Sequence, residues 1–228
     1  NGLSYEKNQI LASCGAKHSF YNLAQALWQA GDEVIIPAPY WVSFPEIVIL
    51  SGARPLIVHA GAEQDFKITP EQIENAVTPN TKAILINSPS NPTGSAYDKN
   101  ELEKLAEVAL RHNLLIITDE IYEQIVFDGF QHTSIASISQ EVQKQCVVIN
   151  GVSKSYAMTG WRIGYIAAGD PEIVKQVGKL QGQSTSNPCA VSQAASIEAL
   201  TGPLDEVHEM VREFEKRRNI IVEQLSKI

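Results

Sequence analysis

Cysteine is nearly missing from this 228-residue chain. Cys14, Cys146 and Cys189 are odd in number, far apart and in no C-x-x-C arrangement. That excludes a disulfide framework and a cysteine zinc site, and it points to a reducing, cytoplasmic compartment. The histidines (His18, His59, His112, His132 and His208) show no metal-ligand spacing, so no metal is expected. Long hydrophobic runs are lacking too. None approaches the ~18 residues of a membrane helix, and no signal peptide opens the sequence, so no membrane partner is expected. Basic residues are outnumbered, 18 Lys and Arg against 26 Asp and Glu, for a net charge of −8. A nucleic-acid partner, which needs concentrated positive charge, is thereby disfavoured. The basic cluster "EKRRN" (215–219) alternates with acids on a helical pattern and reads as a solvated helix face. Neither G-x-G-x-x-G after a strand nor G-x-x-x-x-G-K-[ST] occurs, which argues against a nucleotide-binding doubly wound protein. An initiating methionine is also absent, and "NGLSYEKNQI" reads as the interior of a longer protein.

The bulk composition is that of a globular protein, 44% hydrophobic and 19% charged. A chain of this length removes roughly 70% of its unfolded surface from water. Short apolar, β-branched runs recur: "EVIIP" (33–37), "RPLIV" (54–58), "AILIN" (83–87), "LLIIT" (114–118), "CVVIN" (146–150) and "GYIAA" (164–168). Several are apolar throughout rather than alternating, as strands covered on both faces are. Helical segments lie between them. "AKHSFYNLAQALWQA" (16–30) is closed by Gly31 as a C-cap. "TPEQIENAV" (69–77) has Thr69 at the N-cap and Pro70 at the first helical position. "DKNELEKLAEVALRHN" (98–113) sets apolar residues at 102, 105, 106, 109 and 110 behind an Asp start. This alternation predicts one α/β domain over 1–228, with a mostly parallel, doubly wound sheet in three layers, α/β/α. No internal repeat or low-complexity linker interrupts it. From Pro203 to Ile228 apolar residues recur at 207, 210, 211, 214, 221, 222 and 225, a helix of about six turns that reads as a connector.

Ligands of open parallel sheets sit beyond the carboxyl ends of the strands. There the sequence places Tyr40 and Trp41 (after 33–37), Asn91 (after 83–87), Asp119 and Tyr122 (after 114–118), and Ser153 and Lys154 (after 146–150). "SCGAKHS" (13–19) puts small residues and amides at the start of the first helix. Each has a plain alternative. Lys154 suits any solvated loop, Asp119 a helix N-cap, Trp41 a core, Asn91 the turn "NPTG", Tyr122 an amphipathic face, and Arg162 a surface charge. Taken together they meet the demands of pyridoxal phosphate. Its aldehyde needs a lysine amine (Lys154), and its ring nitrogen needs a carboxylate (Asp119). The ring oxygen needs a hydroxyl or amide donor (Tyr122, Asn91), and the ring face an aromatic (Trp41). The phosphate needs a helix N-terminus (Gly15, Ala16, Lys17) and a bidentate arginine (Arg162).

At these residues the sequence resembles a known family. "SKSYAMTGWRIGY" (153–165) is similar to the lysine signature of class I aminotransferases of the pyridoxal-phosphate-dependent transferase fold. "NSPSNPTG", "TDEIYE" and "PAPYWVSFPE" match further blocks of that family with similar spacing, so the resemblance covers essentially the whole chain. The Tyr-Trp-Val-Ser run and "GAKHSFYN" resemble most the bacterial aspartate aminotransferases that often also accept prephenate. The resemblance implies that Lys154 carries pyridoxal 5′-phosphate and moves a proton between substrate Cα and the cofactor's C4′. It implies that Asp119 pairs with the ring nitrogen, that Tyr122 and Asn91 contact the ring oxygen, and that Trp41 stacks on the ring. Trp41 and Asn91 would also meet the substrate, and Gly15, Ala16, Lys17 and Arg162 would cup the phosphate. One departure is Gly151, where some relatives carry a serine three residues before the lysine, so one phosphate hydrogen bond is either missing or supplied by Ser153. The implied substrates are an amino acid, aspartate or glutamate, and a 2-oxo acid. The implied full-length enzyme is a homodimer. In it these residues would be the large cofactor-binding domain, with 202–228 leading to a C-terminal domain that supplies the arginine for the substrate α-carboxylate. A non-catalytic effector domain and a pyridoxal phosphate lyase or synthase are the alternatives.

Overall fold

The computed structural model describes residues 2–228. Its strands are β1 (Ile10–Ser13), β2 (Glu33–Ala38), β3 (Arg54–His59), β4 (Thr81–Asn87), β5 (Leu115–Asp119), β6 (Cys146–Gly151) and β7 (Gly164–Ala168). They form one seven-stranded sheet in the order β1-β7-β6-β5-β4-β2-β3. Strand β7 is antiparallel to both of its neighbours, and the remaining pairings are parallel. Its helices are α1 (Ala16–Leu27), α2 (Ser43–Leu50), α3 (Pro70–Ala76), α4 (Lys99–Arg111), α5 (Gln140–Lys144), α6 (Pro171–Ser184), α7 (Ala190–Thr201) and α8 (Asp205–Leu225).

Successive strand residues point to opposite faces, and here both faces are dry. Ile35, Ile84, Ile86, Ile116 and Val148 pack with Ile73 of α3, Leu102 and Leu105 of α4 and Val142 of α5. Val34, Ile36, Leu85, Ile117 and Ile149 pack with Phe20 and Leu23 of α1, Phe44 and Val48 of α2 and Val177 of α6. Two cores around one sheet make the three-layer α/β/α architecture and explain why the strand runs are apolar throughout. The expected helix starts are present. Thr69 accepts the Gln72 N–H, and the Gln72 side chain returns to the Thr69 N–H at 2.8 Å. Asp98 and Glu101 close the same reciprocal cap on α4.

Several expectations change. Helix α1 stops at Leu27 rather than running to residue 30. Trp28 is extended, which buries its indole edge-on to Phe20 at 6.1 Å, and Gly31 serves the next turn at φ +97°. No helix begins at Asp119: it is the last residue of β5, and turns follow at 121–124. Strand β1 and helices α2, α5, α6 and α7 carry weaker sequence patterns and emerge only in the structure. The final helix keeps its apolar spacing, yet Phe214, Ile221, Val222 and Leu225 are exposed and Val207 is buried. In the basic cluster Lys216 and Arg217 are solvated, whereas Arg218 turns back to grip both carboxylate oxygens of Asp128 at 2.6 and 2.8 Å. Glu215 accepts the Asp128 N–H at 2.7 Å, completing a clasp between α8 and the turn at 127–130. Among the described residues no helix is long and apolar enough to cross a membrane.

Candidate active site

The predicted residues reach one edge of the sheet by two routes. Trp41, Asn91, Asp119 and Lys154 lie at or just beyond the carboxyl ends of β2, β4, β5 and β6, and Gly15 to Lys17 follow β1. Arg162 precedes a strand instead. It arrives at the same edge because β7 is reversed: Gly164, where β7 begins, pairs with Ser13 at the end of β1 and with Gly151 at the end of β6.

Trp41, Asn91, Asp119, Tyr122 and Lys154 line a single cavity of about 100 Å³, together with Phe44, Asn87 and Ile121. Asp119 is buried, and its Oδ1 accepts the Ile121 N–H at 3.1 Å. Burial pushes its carboxyl up to about 7; the Ile121 bond opposes this and the neighbouring Glu120 charge adds to it. A carboxyl held in a dry site without a cation is matched by a protonated ring nitrogen. Burial, then the Asp119 charge, raises the Tyr122 hydroxyl, with a bond to Asn91 opposing, so Tyr122 stays a donor. The Lys154 Nζ lies 5.9 Å from the Tyr122 ring centroid.

A second group flanks the cavity. Gly15 caps α1 at φ +95°, a region glycine enters without steric cost, and its carbonyl accepts the His18 and Ser19 N–H groups. The amides of Ala16 and Lys17 therefore precede the first intrahelical bond and are open to an anion. The Arg162 guanidinium lies against Gly15, where an added Cβ would come within 3.0 Å of its Cζ. Arg162 Nη1 donates to the Thr159 carbonyl at 2.8 Å, and Thr159 Oγ1 donates to the Ser153 carbonyl at 3.0 Å. The Lys17 side chain sits 4.7 Å over the Trp41 ring, joining the two groups, and Trp41 is held edge-on to Phe44 at 5.3 Å. An amine, a buried carboxyl, and a cationic cup of amides and guanidinium fit the aldehyde, ring nitrogen and phosphate of pyridoxal phosphate.

Sequence reasoning missed Asn87. Its Nδ2 donates to the Asp119 carbonyl at 3.0 Å and its Oδ1 accepts the Asn91 N–H at 2.8 Å, fixing two predicted site residues at once. The signal was a polar residue ending the apolar run "AILIN". Histidine spacing likewise gave no hint that His132 comes together with Glu120 and Glu123, their ligand-type atoms within 4.8 Å of one another. Hydroxyls of Thr118 and Ser134 bond Glu120 Oε1 at 3.1 and 2.6 Å, and His132 Nε2 meets Oε2 at 3.4 Å.

One reversed strand in a parallel sheet, with a lysine beyond β6 and a buried aspartate ending β5, defines a class: a three-layer α/β domain with its cleft at the carboxyl edge. The sequence matches the family described as aminotransferase class I and II over residues 1–228, and the chain belongs to that family. It is 54% identical over 228 residues to an aspartate aminotransferase of Bacillus sp. (strain YM-2), covering 100% of this chain and 58% of that protein. It is 49% identical to an aspartate/prephenate aminotransferase of Cereibacter sphaeroides, covering 99% and 56%. The aspartate aminotransferase structure from Rhizobium meliloti superposes with a TM-score of 0.98 at 43% identity, covering 100% of this chain and 57% of that one. A Thermus thermophilus aspartate aminotransferase structure with maleate gives 0.93 at 39%, covering 100% and 59%. The chain thus spans little more than half the length of these relatives.

Proposed function

We propose that these residues are the cofactor-binding domain of an aminotransferase that moves an amino group between an L-amino acid, aspartate or glutamate, and a 2-oxo acid through pyridoxal 5′-phosphate. What carries the proposal is the gathering of Lys154, Asp119, Tyr122, Asn91 and Trp41 around one cavity. When bound, the cofactor supplies an aldehyde for the amino group and a cationic ring that withdraws electrons from the substrate Cα. The side chains do the rest. Lys154 would hold the cofactor through its aldehyde, and its amine, when free, is the base placed to take and return the proton at the substrate Cα. Asp119 holds the proton on the ring nitrogen, because a carboxyl in a dry site ionises readily only against a cation. Tyr122 and Asn91 orient the ring through its oxygen, and Asn91 also approaches the substrate α-carboxylate. Trp41 stacks on the ring and borders the substrate. Gly15, Ala16, Lys17 and Arg162 hold the phosphate, with Ser153 beside them.

A dicarboxylic substrate is supported by the names of the relatives and by the maleate in the Thermus structure. The full-length protein is proposed as a homodimer, with α8 leading to a further domain whose arginine clamps the α-carboxylate. This chain alone is therefore expected to bind cofactor with little turnover, since substrate positioning is a large share of such catalysis. Mixing the purified chain with pyridoxal phosphate should give a visible absorbance band that Lys154→Ala lacks. A band retained in the variant would remove Lys154 as the attachment point.

A further inference from the structure

We propose, resting on the cofactor reading above, that Gly164 is a positioning residue: its missing side chain lets the two halves of the phosphate cup, the start of α1 and Arg162, close on one phosphate monoester. Gly164 opens β7 between Ser13 of β1 and Gly151 of β6. A Cβ there would stand 2.7 Å from Ala16 Cα and nearer still to Ala16 N and Gly15 C. These are backbone atoms, so no rotamer change relieves the clash. Two more glycines converge on the same point. A Cβ on Gly151 would meet the Ile163 carbonyl at 2.7 Å and Gly164 Cα at 2.9 Å, and one on Gly15 would meet Arg162. Crowding is not general among the glycines: added methyls at Gly160, Gly178 and Gly182 meet nothing within 4 Å, although Gly169, away from the cup, is also backed by the backbone of Gln143 and Lys144.

The junction joins the three chain segments that carry the cup. From β1 come the amides of Ala16 and Lys17, from β6 come Ser153 and Lys154, and into β7 runs Arg162, two residues before Gly164 and itself at φ +53°. A methyl at 164 pushes the first turn of α1 away from Arg162 while the strand pairings stay in register. An anion that needs both loses one of its partners. The same crowding accounts for Gly151: a serine side chain has no room there, and Ser153 remains the hydroxyl on that loop.

The test compares pyridoxal phosphate with pyridoxal, which offers Lys154 the same aldehyde without the phosphate. Gly164→Ala should weaken pyridoxal phosphate about ten- to a hundredfold, the worth of one hydrogen bond to a charged group, while pyridoxal affinity and cooperative unfolding are retained. Gly178→Ala, the control, should change neither. Unchanged pyridoxal phosphate affinity, or equal loss for both compounds, overturns the proposal. If Gly164→Ala does not fold, Gly151→Ala presses on the same backbone from the other side and is read the same way. If neither folds, the junction is structural and the proposal falls. If the unmodified chain takes up neither compound, the cofactor reading itself fails, and the Lys154→Ala spectrum reports that separately.

Discussion

Asp119 is the buried ionisable residue of the cleft. Its carboxyl titrates near 7 in the folded chain because it is buried, against an ordinary value of 3.8 when unfolded. Between those values the folded state keeps a proton that the unfolded state has released, so stability is full below about pH 4 and falls as pH rises through 7. Asp119→Asn removes that loss. Urea unfolding should show the variant gaining on the unmodified chain by up to roughly 3 kcal/mol between pH 5 and pH 8, the two units from pH 5 to about 7 being worth ~1.4 kcal/mol each. Trp41 is tested differently. Its ring is braced by Phe44 and capped by Lys17, so Trp41→Ala removes a stacking surface without touching the amine or carboxyl. A spectral titration should show cofactor affinity down by roughly two- to twelvefold, from ~0.5–1.5 kcal/mol of ring stacking.

Elements form here where local chemistry and packing agree, and they shift where they conflict. The reciprocal cap at Thr69 and Gln72 starts α3, and Gln72 Nε2 also donates to the His59 carbonyl at 2.9 Å, tying the helix to the end of β3. Thr69→Ala should cost ~0.5–2 kcal/mol. Thermal unfolding should read that as a fall of roughly 2–4 °C per kcal/mol in a chain of this size. The caps of α3 and α4 were legible because they need only residues three apart. The end of α1 was not, because Trp28, extended just past the helix, is buried edge-on against Phe20 two turns back in α1, an outcome of core packing that no local signal marks. The turns after Asp119 were hidden for a similar reason, since the side chain that resembles a helix cap accepts the Ile121 N–H within a turn instead.

Across the whole molecule the cleft is assembled from segments as distant in sequence as Gly15 and Arg162. A ligand that engages both binds only the folded chain, so it stabilises by mass action. Pyridoxal phosphate at a hundred times its dissociation constant should add ~2.7 kcal/mol. A scan should show a midpoint higher by roughly 5–11 °C, on ~2–4 °C per kcal/mol. Lys154→Ala should lose most of that gain. The Arg218–Asp128 clasp should leave the midpoint nearly unchanged when broken, being exposed, but Arg218→Ala should speed amide exchange at 127–130.

By itself the sequence determined the layered α/β architecture, since unbroken apolar runs separated by capped helices have few other ways to bury both faces of a sheet. It also determined which side chains stand at strand ends, because that depends only on where each run stops. Only the tertiary structure decided that β7 runs backwards, that Arg162 therefore meets the start of α1, that glycines at 151 and 164 let those backbones touch, and that Gly15 leaves room for the Arg162 guanidinium. Those contacts join segments far apart along the chain, and their distances are set by how strands pair rather than by any neighbouring residue.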